Sequence, residues 1–144
     1  MRKANYDKFP STKLTGMLVQ GWDSIISMLK EKMDARKVLA VDLYTGVYEE
    51  EVLGAFSKEF SGRVMNVRDL MKPEKEIQAL TERFMTEDVL FGYVTNLKLE
   101  DYLDADKVAA ARKQISEAKE TIVIIGTGAA VVAPQDAMVV YVDM

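Results

Sequence analysis

Two short turns carry the residue types that could grip a ligand. The first is Asp42-Leu43-Tyr44-Thr45-Gly46-Val47-Tyr48, running into Glu49-Glu50-Glu51, and the second is Gly126-Thr127-Gly128-Ala129-Ala130. A glycine turn between a strand and a helix lets backbone amides approach a phosphate. The consensus G-x-x-x-x-G-K-[ST] adds a lysine for the β/γ charge and a hydroxyl for magnesium. Gly46 stands in such a turn, but no lysine follows it. The next helix opens instead on three carboxylates, which suit a helix N-terminus by about 0.3–1 kcal/mol each and would repel a triphosphate. Neither a nucleotide nor magnesium is expected as a cofactor there. Gly126-Thr127-Gly128 departs from G-x-G-x-x-G, since Val131 holds the third glycine position. It reads as a turn that needs positive φ or close backbone packing, with amides that a small phosphorylated ligand or a partner's carboxylate could use.

The acids Asp42, Asp69, Asp88, Asp101 and Asp143 are the candidates for a general base or a magnesium ligand. Asp42 and Asp143 fall at strand ends, where an acid also reads as a cap or loop contact. The ligand-binding candidates are therefore Asp42, Tyr44, Thr45, Gly46, Asp69, Gly126, Thr127, Gly128 and Asp143. No residue is singled out as catalytic, and no metal site is expected.

The chain has no histidine and no cysteine. That excludes from it a thiolate nucleophile, a histidine base, a disulfide and a cysteine–histidine zinc site. A net charge of −4, without a basic stripe interleaved with aromatics, argues against nucleic acid. No apolar run approaches the roughly 20 residues of a membrane span. The longest, from Ile122 to Ala133, is broken by Gly126 and Gly128. With 49% hydrophobic and 29% charged residues the balance is globular. The polar start, Met1-Arg2-Lys3-Ala4-Asn5-Tyr6-Asp7-Lys8, lacks the apolar stretch of a secretory signal, so the expected location is cytoplasmic.

The elements that must position these turns follow from periodicity. Residues 1–20 read as an extended arm, and residues 21–144 as one domain. Trp22, Ile25, Ile26, Leu29 and Met33 repeat at helical spacing. Lys37 to Asp42 is a short apolar run ending in an acid, the pattern of a buried parallel strand. Val52, Leu53, Phe56 and Phe60 mark a helix from Glu49, and Arg63 to Val67 a second strand. Pro73 opens a helix with Ile77, Leu80 and Phe84 as its inner face. Residues 86–99 read as a loop with a brief strand at Tyr93-Val94-Thr95. Asp104 begins a helix through Val108, Ala111, Ile115 and Ala118, and strands follow at Thr121–Ile125 and Met138–Val142. Strands alternating with amphipathic helices predict a three-layer α/β fold, a parallel sheet with helices on both faces. The chain stops at Asp143-Met144, directly after the last strand, with no helix to follow. The expectation is therefore an N-terminal fragment of a longer protein, truncated after that strand.

Val38-Leu39-Ala40-Val41-Asp42 with Thr45-Gly46, then Asn66-Val67-Arg68-Asp69-Leu70-Met71-Lys72-Pro73, then Ile122 to Val132 and Met138 to Asp143, form an order of segments. That order resembles the uridine kinase and phosphoribulokinase branch of the P-loop kinases. The first segment stands where the phosphate loop would be, and the second is similar to the acidic turn that meets the phosphoryl acceptor. Tyr6-Asp7-Lys8-Phe9-Pro10, Gly21-Trp22-Asp23, Asp42 to Val47, Asp101-Tyr102-Leu103-Asp104 and Gly126 to Pro134 carry a broader likeness. On these the whole chain resembles the N-terminal region of long bacterial proteins described as class I mannose-6-phosphate isomerases. The resemblance implies a P-loop NTPase-like module, with a C-terminal cupin-like half as partner that holds the isomerase chemistry on metal-ligating histidines.

Without a Walker lysine the module is expected to be degenerate. It would bind a phosphosugar or nucleotide weakly, or regulate the attached isomerase half. The alternative is a non-catalytic structural or oligomerisation domain, with residues 1–20 and the edge at Met138–Val142 as contact surfaces. A third reading, an active kinase, needs Lys72 or Lys37 to reach the phosphates from elsewhere.

Overall fold

The two most apolar runs of the sequence become the two central strands. A computed structural model describes residues 9–13, 15–33, 37–60 and 62–143. In it β1 (Val38–Leu43) and β3 (Ile122–Gly126) pair in parallel, with Ala40 beside Ile124 and Asp42 beside Gly126. β2 (Arg63–Asn66) flanks β3 and β4 (Met138–Val142) flanks β1, giving an all-parallel sheet of order β2-β3-β1-β4. Both faces of the central strands are buried, which is why they read as continuous rather than alternating apolar runs.

The faces are covered by different helices. α1 (Trp22–Met33) and α2 (Glu49–Glu59) bring Ile26, Leu29, Val52 and Phe56 against Leu39, Val41, Val123 and Ile125. Trp22 meets Phe56 edge-on, with ring centroids 6.2 Å apart. On the other face α5 (Ala105–Glu117) and the short α6 (Ala129–Val132) lie over Ala40, Ile122 and Ile124. α5 starts where expected because the Asp104 carboxylate accepts from the amides of Asp106 and Lys107, both at 3.0 Å. Each fully buried Ile or Val of this sandwich contributes about 1.5–3 kcal/mol by leaving water.

Several expectations are corrected. The helix from Pro73 exists as α3 (Glu74–Thr81) and a 3₁₀ turn (Glu82–Phe84), but none of its residues is buried. Ile77, Leu80 and Phe84 do not reach the sheet core. The cause lies at the roots of this segment. The Lys72 amide donates to the Tyr102 carbonyl at 3.0 Å, and the Lys98 amide to Asp101 Oδ2 at 2.7 Å. Both ends are thus tied to α4 (Leu99–Tyr102), and none of residues 73–97 is buried. Tyr93–Thr95 forms no strand, and Val89, Leu90, Phe91 and Val94 are exposed. Of the expected arm, residues 1–8 and 14 lie outside the described ones. Residues 9–13 and 15–20 have no helix or strand, and only Val19 among them is even half-buried.

Candidate functional site

In an open parallel sheet, ligands bind beyond the carboxyl ends of the strands, where neighbouring strands send the chain to opposite faces. β1 and β3 are that pair. From β1 the chain passes into α2 on one face, and from β3 into α6 on the other. The two glycine turns therefore flank one crevice.

The turn after β3 is closed by the protein itself. Asp42, half-buried at the end of β1, accepts from the Gly128 amide at 3.1 Å and from the Ala130 amide at 2.8 Å. Its carboxylate caps α6, whose glycine N-cap has no side chain to do so. Gly128 holds φ +88°, in the left-handed region. Gly126 holds φ +136°, and a Cβ there would lie 2.9 Å from Val67 Cβ. Positive φ and close packing, the two reasons offered for these glycines, both apply. The amides of Gly128 and Ala130, expected to be available to a phosphate or a partner's acid, are instead occupied by Asp42. Of the parts the sequence offered Asp42, a base or magnesium ligand on one hand and a cap or loop contact on the other, its contacts are those of a cap.

The turn after β1 remains open. The Val47 amide donates to the Tyr44 carbonyl at 3.2 Å, with Gly46 at φ +103° in the position where a type II turn takes glycine. Residues 43–50, with Arg68 and Thr127, line a cavity of about 370 Å³. Tyr44 is 64% exposed and Tyr48 81% exposed. Tyr48 is the N-cap of α2 and offers no side-chain hydrogen bond to its first amides.

Charge in this cavity differs from the sequence expectation of three free carboxylates and no cation. Arg68, at the carboxyl end of β2, reaches Glu49 with an N–O separation of 2.7 Å, and the Asn66 side-chain amide donates to the same carboxylate at 2.8 Å. Glu51 accepts from the Trp22 indole at 3.0 Å and does not line the cavity, leaving Glu50 as its one unpaired acid among the described residues. Arg68 escaped the sequence reading. The one available signal is a basic residue beside Asp69 at a strand end.

Of the candidates, Tyr44, Thr45, Gly46 and Thr127 come together on this cavity, with Asp42, Gly126 and Gly128 in the adjoining turn. Asp69 is exposed in a 3₁₀ turn (Val67–Leu70), and Asp143 is exposed after β4; neither lines the cavity. Lys37 lines a different cleft, and the Lys72 ammonium donates to the Asp101 carbonyl at 2.6 Å, so neither lysine lines the cavity after β1. Neither lysine supplies to this cavity the cation that the active-kinase reading requires.

The different cleft, about 970 Å³, opens at the amino ends of β1 and β3 and was not foreseen, since distant segments assemble it. Lys32, Lys37 and Arg112 face Glu120 and Asp136 there, and Arg112 donates to the Val131 carbonyl at 2.7 Å. The larger volume lies at the end of the sheet where parallel strands do not present ligand-binding turns. Among the described residues no three acids converge to hold a metal ion, and no helix is long and apolar enough to cross a membrane.

A family model described as a domain of unknown function, DUF8485, matches residues 21–144. No curated protein and no solved structure matches the chain.

Proposed function

The chain belongs to the DUF8485 family, and we propose that it is a degenerate, P-loop-kinase-like module that takes a small phosphorylated ligand weakly and transfers no phosphoryl group. In this reading it works in the cytoplasm beside a cupin-like, mannose-6-phosphate isomerase-like half, which it regulates through the bound phosphosugar or nucleotide. The observation that carries the reading is a ligand crevice at the right place in the sheet whose phosphate-gripping groups are already committed. Asp42 holds the amides after β3, and Glu49 holds Arg68.

A ligand phosphate must compete with Glu49 for the guanidinium, which favours weak binding. Among the described residues the one cation that lines the cavity, Arg68, is already paired with Glu49, so a leaving diphosphate finds no uncommitted cation there, which favours a silent module. The exposed Tyr44 and Tyr48 rings offer a sugar or base a surface at the mouth.

Thermal unfolding with millimolar mannose 6-phosphate, or with ATP and magnesium, tests the binding. At a hundredfold excess over the dissociation constant the folded state gains about 2.7 kcal/mol. No shift with either ligand refutes a binding role. Radiolabel transfer from ATP to any sugar or nucleoside refutes the silent one.

A further inference from the structure

The two edges of the sheet are not alike. β2 is four residues long, begins at an exposed Arg63 and ends in a 3₁₀ turn. A short, charged strand of this kind is how natural sheets blunt an edge. β4, five residues long, has no such charge. From Ala137 to Val142 it carries no charge and no proline, and on the α5/α6 face Val139 is 40% and Tyr141 77% exposed. Among the described residues no strand pairs with its outer side.

We propose that β4 is the interface of a two-fold symmetric dimer, in which it pairs antiparallel with β4 of a second copy to give one continuous sheet. This rests on the strand and does not depend on any ligand in the crevice. The backbone fixes which groups are available. The Tyr44 amide donates to the Val142 carbonyl, so Val142, Val140 and Met138 turn their amides and carbonyls toward β1. Val139 and Tyr141 turn theirs outward.

The flanking acids then select the register. With the axis at Val140, Val139 of each copy stands opposite Tyr141 of the other as a hydrogen-bonded pair, and the strand 138–142 pairs along its full length. Asp136 and Asp143 fall beyond that ladder. A shift of two residues in either direction pairs an aspartate with Val142 or Val139, and a shift of one turns the apolar side chains to the wrong face. Only the register centred on Val140 meets uncharged side chains throughout. One strand edge is smaller than a standard interface, so the dimer dissociates in the micromolar to millimolar range.

Sedimentation equilibrium on the 144-residue chain tests this. The wild type shows a monomer–dimer equilibrium, and on dilution its amide NMR shifts move at residues 137–143. Val139→Lys and Tyr141→Glu each weaken the dimer at least tenfold. The double variant recovers most of that loss, because the axis at Val140 sets each new lysine against the partner's new glutamate. Both positions are exposed, and circular dichroism checks that the fold is kept. A wild type that stays monomeric at millimolar concentration overturns the proposal, as does association unchanged by both single variants. Loss in the single variants without recovery in the double overturns the register.

Discussion

The turns after β1 and β3 occupy equivalent places at the end of the sheet, both contain a glycine at positive φ, and both lead into a helix. One is filled from within: Asp42 crosses from the neighbouring strand and satisfies two amides of the turn after β3. The other keeps an uncapped helix start, two exposed tyrosines and a cavity. The difference teaches that position in an α/β sheet gives a turn the opportunity to bind, and local polar satisfaction decides whether the opportunity is still open. A carboxylate and a phosphate want the same amides, and the turn after β3 already has its anion.

The largest expected effect breaks the closed turn. Gly126→Ala forces a side chain into the φ +136° conformation and against Val67, whose Cβ would be 2.9 Å away. Strain and steric displacement together should destabilise the protein by about 3 kcal/mol or more, measured by urea unfolding. A loss below about 1 kcal/mol would mean that the turn is not rigidly held. Next comes Asp42→Ala, which leaves two partly buried amides without an acceptor and should cost about 2 kcal/mol. Asp42→Asn keeps one acceptor oxygen and should cost about half as much. Asp42→Ala also sharpens the comparison, because it frees the amides that the native carboxylate occupies. If anion competition is what closes this turn, the variant should bind inorganic phosphate more tightly than the wild type does in a titration.

The sheet was legible because burial on both faces leaves a plain trace, as in Val38–Val41 and Ile122–Ile125. The caps were half legible. Asp104 announces its helix by lying next to it, whereas Asp42 caps a helix that begins 87 residues later. No local pattern marks such a partner. The same limit hid the Arg68–Glu49 pair, which joins the 3₁₀ turn after β2 to α2 across 19 residues. Ile77, Leu80 and Phe84 failed differently. Periodicity identifies an apolar face, but not the surface that covers it, and here both roots of the segment are tied to α4 instead. α6, four residues long, is too short for any period to register.

The open turn should answer in the opposite way, with small effects on stability. Arg68→Ala removes a surface ion pair whose arginine side chain is 64% exposed, and should cost about 0–1 kcal/mol. Tyr44→Ala and Tyr48→Ala remove rings that pack little against the body, and each should stay within about 0.5 kcal/mol of the wild type in the same urea titration. A larger loss would mean that the tyrosines hold the turn in shape, and the contrast between the two turns would fall. If instead stability is unchanged while the thermal shift with mannose 6-phosphate or ATP disappears, the rings contribute to the ligand and not to the fold.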